Sequence, residues 1–134
     1  MLNKKINLGL VGTGYLGKFH LQQIKYIDEI NFVGIYDLDS NLAEKLGKEN
    51  NVPVFASADE LIAKCNALSI VVPTNVHHEV AMKGLAGGCH LFIEKPIASS
   101  VKLAEEIVQK AQSKDLTLQV GHIERFNPVF IEAE

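Results

Sequence analysis

Apolar runs alternate with amphipathic stretches along the whole chain. Six runs have the length and apolar content of buried strands, and we predict strands at 6–11, 31–37, 53–55, 67–72, 89–93 and 116–120. Helices are predicted between them at 15–27, 40–50, 58–64 and 74–86, with another after Ser100. Continuous apolar strands separated by helices are typical of a parallel sheet covered on both faces. We therefore predict an α/β protein with a doubly wound Rossmann sheet.

Polar residues mark where the predicted helices begin. Ser40 and Ser57 are predicted to cap the second and third helices, and Thr74 or Asn75 the fourth, while the capping-type pair Ser99 and Ser100 precedes the last helix. Gly87 and Gly88 supply a left-handed exit from that fourth helix. The last helix carries an apolar face and, on its polar side, an i, i+4 pair of Glu106 and Lys110. The predicted apolar face consists of Val101, Ala104, Ile107, Val108 and Ala111.

Composition narrows the class of protein. The 134 residues are 47% hydrophobic and 22% charged, which fits one globular domain. A net charge of -3 without a basic cluster gives no reason to expect a nucleic-acid partner. No apolar run is long enough to span a bilayer, so no membrane partner is expected. Cys65 and Cys89 lack metal-type spacing and are read as reduced thiols, which favours the cytoplasm.

A GxGxxG sequence follows the first predicted strand and opens the first predicted helix. In this pattern Gly12 makes the tight turn, Gly14 lets a diphosphate approach the backbone, and Gly17 lets the helix pack on the strand. The free N–H groups at the helix N-terminus favour the negative charge of the phosphates. The pattern and its context predict a dinucleotide site. Glycines that serve packing alone remain an alternative.

Asp37 ends the second predicted strand, twenty residues after Gly17. A carboxylate at this place can accept both ribose hydroxyls of an adenosine and would repel a 2′-phosphate. No arginine follows Asp37 to reverse that preference. NAD is therefore the predicted cofactor and NADP is less favoured. S-adenosylmethionine enzymes also combine a glycine turn with such an acid, so the motif alone leaves a methyltransferase open.

Two further segments follow predicted strands and reach the same edge of the sheet. Pro73, Thr74 and Asn75 come after the fourth strand, and Glu94 and Lys95 after the fifth. Ligands of open α/β sheets bind beyond the carboxyl ends of the strands. The following residue, Pro96, biases Lys95 toward an extended backbone, which aims its side chain.

The histidines do not predict a metal site. His77 and His78 point about 100° apart on a helix and cannot easily share a tetrahedral ion. His77 is a candidate for lining the cleft, while His78 is expected to face solvent. His20 either serves the site or packs the first helix on the sheet. His90 is expected to be structural.

Two residues after the sixth predicted strand are expected to emerge near the same cleft, and these are His122 and Arg125. Arg125 is suited to bind a phosphate of the substrate or cofactor through two parallel hydrogen bonds. The alternative is a salt bridge from Arg125 to Glu124 or Glu132.

With these motifs in place, the chain resembles the glucose–fructose oxidoreductase / inositol dehydrogenase (Gfo/Idh/MocA) family. The resemblance rests on the glycine turn followed by His20, on Asp37, and on the segments 73–77, 87–90 and 94–96. It implies that Lys95 lies beside the nicotinamide and the reacting sugar hydroxyl, where it would be the catalytic residue. Glu94 would orient Lys95 or the nicotinamide. The cofactor-binding residues expected from motif and resemblance together are Gly12, Thr13, Gly14, Tyr15, Leu16, Asp37, Pro73, Thr74, Asn75, His77, Glu94 and Lys95.

The segment 120–128 is similar to members of this family that act on nucleotide-linked sugars. The resemblance thus implies a sugar or sugar-nucleotide substrate and transfer of hydride from its hydroxyl to NAD. A stand-alone dinucleotide sensor or partner module without chemistry is the alternative.

The resemblance also implies a second, α+β substrate domain that this chain lacks. Residues 1–121 are predicted to form the Rossmann domain, and 122–134 the start of the connection to the missing domain. The apolar residues of the last segment, Phe126 and Phe130 among them, read as a surface that is normally covered. The fragment is expected to be inactive alone, and the full-length protein to form a homo-oligomer through the missing domain.

Overall fold

A computed structural model describes residues 4–133 and contains one five-stranded parallel sheet. The strands are β1 (Ile6–Val11), β2 (Ile30–Tyr36), β3 (Ala67–Ile70), β4 (His90–Glu94) and β5 (Leu118–Gly121). Their order across the sheet is β2-β1-β3-β4-β5, and every pairing is parallel. This confirms the predicted α/β class.

Helices connect the strands. They are α1 (Tyr15–Ile24), α2 (Ser40–Asn50), α3 (Ala58–Ile62), α4 (Thr74–Ala86) and α5 (Val101–Ser113), followed by a 3₁₀ helix (Ile123–Phe126) and α6 (Pro128–Ala133). None of the helices in the described range 4–133 is long and apolar enough to cross a bilayer.

Two apolar clusters hold the helices to the sheet. Leu10 and Ile35 of the sheet pack with Leu21 of α1 and Leu46 of α2. The larger cluster joins the sheet to α3, α4 and α5, and Ile107 of α5 is fully buried in it. Helices on both faces explain why the central strands are largely apolar. The doubly wound arrangement agrees with the sequence-based prediction.

The order of the strands reverses at β1. The chain runs from β1 to β2 on one side and then crosses to β3 on the other side of β1. Connections that diverge from a strand in this way leave a crevice at the carboxyl ends of the parallel strands. The glycine turn lies at the end of β1, directly at this crevice.

The predicted third strand at 53–55 is wrong. This segment makes a single bridge, between Ile35 and Val54. Its backbone contacts are the bond that Ile35 N donates to Pro53 O and the bond that Phe55 N donates to Ile35 O. Proline has no N–H to donate and only three apolar residues are present, so no ladder extends beyond β2.

Helix capping matches the predictions in part. Ser57 and Ser100 cap α3 and α5, each accepting a backbone N–H. Asp39 and not Ser40 caps α2, because its carboxylate accepts from the N–H groups of residues 41 and 42. Helix α4 begins at Thr74 after Pro73, so neither Thr74 nor Asn75 is its cap.

The C-terminal ends of α4 and α1 lie at or near their predicted positions. Gly88 follows α4 with φ of +80°, as the left-handed exit requires. Helix α1 ends at Ile24, three residues earlier than predicted.

Helix α5 differs from its predicted faces. Val101 is 75% exposed and Val108 is 37% exposed, so only Ile107 and Ala111 are buried. Glu106 does not pair with Lys110. Its Oε2 lies 2.7 Å from Nε2 of His78, which joins α5 to α4 and contradicts the prediction that His78 faces solvent. The sequence does not show that α4 and α5 are neighbours. It is their packing in the fold that brings His78 to Glu106.

Candidate functional site

The glycine turn after β1 has one glycine for each of three geometric needs. Gly12 has φ of +104°, and a Cβ there would overlap the carbonyl of Val71. A Cβ on Gly17 would overlap the carbonyl oxygen of Gly12, so α1 approaches the turn closely only because residue 17 is glycine. A Cβ on Gly14 would meet nothing within 4 Å. The space above Gly14 is open to a ligand.

Helix α1 presents free backbone donors to this open space. Gly14 is its N-cap and provides no side chain to satisfy the first N–H groups. No acidic residue lies in the first turn. Unpaired N–H groups and the positive end of the helix dipole are suited to a phosphate group. Tyr15 and Leu16 lie in this first turn, with 77% and 51% of their surface exposed.

Asp37 is bound to the glycine turn. Its Oδ2 accepts the backbone N–H of Thr13 at 2.7 Å and the Thr13 hydroxyl at 2.9 Å. Its Oδ1 accepts the N–H of Asp39 at 2.8 Å. A carboxylate has about four lone-pair sites, so one remains for a ligand. Acceptance of both ribose hydroxyls by Asp37 therefore needs one of these bonds to give way.

Glu94 is held by a histidine and not by its sequence neighbour. Oε1 of Glu94 lies 2.7 Å from Nε2 of His20, and Nδ1 of His20 lies 2.9 Å from Oγ of Ser69. These contacts tie α1 to β3 and β4. His20 also packs edge-on against Phe92, with the two ring centroids 5.6 Å apart. The carboxylate of Glu94 is thus paired with His20, and among the described residues it forms no salt bridge with Lys95.

His77 is a buried connector between two loops. Its Nδ1 lies 2.9 Å from Pro96 O and its Nε2 lies 2.8 Å from Val72 O. The side chain is 1% exposed, so it does not line an open surface of the cleft. Since Val72 follows β3 and Pro96 follows Lys95, His77 fixes the backbone behind the predicted site.

Lys95, His122 and Arg125 lie around one cavity of about 310 Å³ at the ends of β4 and β5. Ile123, Glu124 and Phe130 complete its lining. The side chains of Lys95, His122 and Arg125 are exposed. The cavity combines groups that can bind an anion or polarise a hydroxyl with an apolar wall. A second cavity of about 300 Å³ lies beside α2, lined by Glu44, Gly47, Lys48, Asn51, Val52 and Val54, and holds none of the predicted residues.

The segment 73–75 lies at the start of α4, after β3 and therefore between the glycine turn and Lys95 along the sheet edge. Thr74 is half-buried, whereas Pro73 and Asn75 are exposed. Within the described range 4–133, no group of three His, Cys, Asp or Glu side chains could hold a metal ion.

The roles of Ser69 and Thr13 at this edge of the fold were not predicted from the sequence. Ser69 is 3% exposed, and its hydroxyl within an apolar strand is a signal that some partner must lie opposite. Thr13 is 1% exposed and was predicted only as a cofactor contact, not as the partner of Asp37. Both partners are distant in sequence, so spacing rules do not find them.

Known proteins similar to this chain share the fold and part of the sequence. UDP-N-acetylglucosamine 3-dehydrogenase of Acidithiobacillus ferrooxidans is 36% identical over 120 residues, covering 90% of this chain and 38% of that protein. Its crystal structure superposes with a TM-score of 0.91 at 33% identity, covering 99% of this chain and 43% of that chain. Apo scyllo-inositol dehydrogenase from Lactobacillus casei gives a TM-score of 0.89 at 29% identity, with 99% and 41% covered.

The family match covers most of the chain. The sequence model of the Gfo/Idh/MocA oxidoreductase family, described as an NAD-binding Rossmann fold, matches residues 6–122. The chain spans about two fifths of the length of the relatives named above. From the match over these residues, together with the open glycine turn at the strand-order reversal, this chain belongs to the Gfo/Idh/MocA oxidoreductase family as its NAD-binding Rossmann domain.

Proposed function

We propose that this chain is the cofactor-binding part of an NAD-dependent dehydrogenase that acts on a hydroxyl of a sugar or nucleotide sugar. The observation that carries the proposal is the position of Lys95. It lies at the end of β4, on the same sheet edge as the glycine turn, and shares a cavity with His122 and Arg125.

The arrangement of the strands supports a cofactor that lies across the sheet edge. The diphosphate would lie over Gly12–Gly14 and the N-terminus of α1, with Tyr15 and Leu16 beside it and the adenosine ribose toward Asp37. From β1 the neighbouring strands are β3 and then β4, a distance of roughly 10 Å at the usual spacing of strands. The nicotinamide would then lie near the segment 73–75, Glu94 and Lys95, with His77 supporting the backbone behind it.

Lys95 is proposed to bind the reacting hydroxyl. The bound NAD supplies the hydride acceptor. The amine of Lys95 would hold the hydroxyl oxygen and help to remove its proton as the carbon loses hydride. The Lys95 side chain is free for this role, since among the described residues it forms no salt bridge.

The other cavity residues suit a substrate that carries phosphate. Arg125 presents a planar fork of donors, and His122 lies beside it. Glucose-6-phosphate 3-dehydrogenase of Bacillus subtilis, 28% identical over 119 residues, and the UDP-N-acetylglucosamine enzyme both have names that specify phosphorylated sugars. The proposal therefore includes a sugar phosphate or a nucleotide sugar as substrate.

The proposal extends to the rest of the protein. Residues 1–121 would form the cofactor domain, and 122–134 would lead to a second domain. Five apolar side chains of that last segment are more than half exposed, namely Ile123, Phe126, Val129, Phe130 and Ile131. A surface of this kind is suited to being covered by further protein, which would complete the substrate site and mediate homo-oligomer formation. The free Cys65 and Cys89 accord with a cytoplasmic location.

Cofactor binding is tested by titrating the chain with NAD in a calorimeter. We expect Asp37→Ala to weaken binding by about tenfold, the factor that corresponds to one charged hydrogen bond. Glu44→Ala, beside the second cavity, removes a carboxylate that the cleft does not use and should leave the affinity unchanged. Equal binding by wild type and Asp37→Ala, or binding by neither, contradicts the cofactor assignment.

The chemical role is tested with Lys95→Met in the protein that also carries a second domain. With UDP-N-acetylglucosamine or glucose 6-phosphate and NAD, we expect NADH formation to fall by about 10²- to 10⁴-fold, while NAD affinity stays within about twofold. A wild-type protein that binds NAD but reduces none with any sugar would support the sensor alternative instead.

A further inference from the structure

The Thr13 side chain is buried beneath the site and bonded to one partner. It is 1% exposed, yet it lies in the middle of a turn that must remain accessible to a dinucleotide. Both of its donors, the backbone N–H and the hydroxyl, go to Oδ2 of Asp37. Because this hydroxyl is buried, water cannot replace its hydrogen bond to Asp37. The bond therefore restrains the carboxylate strongly.

Asp37 is consequently fixed from two sides. Thr13 holds Oδ2, and the N–H of Asp39 holds Oδ1. Rotation of the carboxylate away from the cleft would break three hydrogen bonds. The backbone supports the same geometry, because Gly12 N donates to Tyr36 O at 2.9 Å.

Fixation of this carboxylate has a consequence for selectivity. A ribose 2′-hydroxyl can donate to the lone-pair site that remains on Oδ1, whereas a 2′-phosphate would place like charge beside a group that cannot turn away. Residues 38–44 contain no lysine or arginine that could neutralise the phosphate, and Asp39 adds a second carboxylate.

We propose that Thr13 is a specificity-determining residue that selects NAD over NADP by holding Asp37 in place. Thr13 acts through Asp37 and is a positioning residue for it. The proposal rests on the proposed cofactor site and adds to it the group that makes its acid selective.

The test compares NADH and NADPH affinities of the chain by the change in dinucleotide fluorescence. We expect Thr13→Val to weaken NADH binding about fivefold, the factor that one hydrogen bond of typical net strength is worth. The preference for NADH over NADPH should fall by a similar factor, because the carboxylate gains freedom to turn away. Thr13→Ser keeps the hydroxyl and should restore both quantities to within about twofold of wild type.

A double-mutant cycle separates this role from packing. If Thr13 acts through Asp37, Thr13→Val should change neither affinity once Asp37→Ala is present. Thr117→Val, the same substitution at an exposed threonine, serves as the matched control and should change nothing. Thermal unfolding of every variant shows that it is folded, and Thr13→Ala replaces Thr13→Val if the latter is not.

Two results overturn the proposal. One is an unchanged preference for NADH in Thr13→Val and Thr13→Ala. The other is an equal loss of affinity with and without Asp37, which would assign Thr13 to packing of the turn. In both cases wild type still binds NADH, so the proposed function survives. A wild-type chain that binds neither dinucleotide instead overturns the proposed function, and this inference with it.

Discussion

His20 and Glu94 are joined across the fold, with Nε2 of the imidazole 2.7 Å from Oε1 of the carboxylate although 74 positions separate them in the chain. The contact turns Glu94 toward α1, while the next residue, Lys95, lines the cavity at the ends of β4 and β5. An acid and a base that are adjacent in sequence are thereby separated in space. The result is that the Lys95 amine remains available.

Replacing His20 by alanine should destabilise the fold. The variant leaves the largely buried carboxylate of Glu94 and the buried hydroxyl of Ser69 without their partner. We expect a loss of about 1–3 kcal/mol in the free energy of unfolding, measured with urea. His78→Ala is the matched control, since it breaks another 2.7 Å histidine–glutamate pair that is more exposed. Its cost should stay below about 1 kcal/mol, and equal costs for the two variants would contradict the argument.

Two glycines of the turn should respond in opposite ways to alanine. Gly14→Ala places its methyl group in open space, so we expect a stability change within about 0.5 kcal/mol but markedly weaker NAD binding. Gly17→Ala drives its methyl group against the Gly12 carbonyl and should cost about 2–3 kcal/mol. Urea unfolding and calorimetric NAD titration check the pair. Full NAD affinity in Gly14→Ala would show that the diphosphate does not approach this residue.

His77 should matter for stability because its side chain is buried between two loops. His77→Ala leaves a cavity and removes the ring that lies between the Val72 and Pro96 carbonyls, with the one N–H that a neutral imidazole can donate to either of them, which should cost about 2–4 kcal/mol. His90→Ala is the control, because His90 is exposed and accepts only one backbone N–H, from residue 117. Urea unfolding of both variants provides the measurement. A loss in His77→Ala no greater than that in His90→Ala would exclude the connecting role.

The two thiols should be unreactive in the folded chain. Burial, with a smaller contribution from Cys89, raises the pKa of the Cys65 thiol from 9.0 to about 12, and burial also raises the pKa of Cys89. Since only the thiolate reacts, folded Cys65 should react with iodoacetamide roughly a thousandfold more slowly at pH 8 than in urea. Mass spectrometry of the labelled chain checks this. Similar rates with and without urea would contradict it.

The same pKa shift has a signed effect on stability. A pKa that folding raises adds stability below the unfolded value of 9.0, and that stability is lost as pH rises toward about 12. Urea unfolding between pH 8 and the alkaline range should show a decline that is smaller in Cys65→Ala. An identical decline in Cys65→Ala would assign the effect to other groups.

Periodicity predicted the sheet well where strands are buried on both faces. The run predicted at 67–72 contains β3, and the run at 89–93 differs from β4 by one residue at each end. The strand predicted at 53–55 is wrong because only Val54 and Phe55 follow Pro53, and so short a run does not form a ladder. Capping at Ser57 and Ser100 followed from local chemistry, while at Asp39 two adjacent polar residues competed and the sequence gives no geometry to choose between them.

Some features of the site depend on residues that are close in sequence, and others on residues that are far apart in sequence. The glycine turn and its acid are recognisable because their spacing reflects a local strand–turn–helix unit. The partners of Asp37, Glu94 and His77 were not foreseen, because each bond joins segments that meet only when the strands are ordered in the sheet.

The sequence by itself determined the class of fold, the glycine turn and the family, since these depend on patterns that extend over a few neighbouring residues. Only the tertiary structure decided which polar groups share a bond. It bonded Thr13 to Asp37, paired His20 with Glu94, and placed Lys95 and Arg125 around one cavity. The physical reason is that a hydrogen bond depends on distance and direction in space, and the order of strands β2-β1-β3-β4-β5 brings together residues that are far apart in the chain.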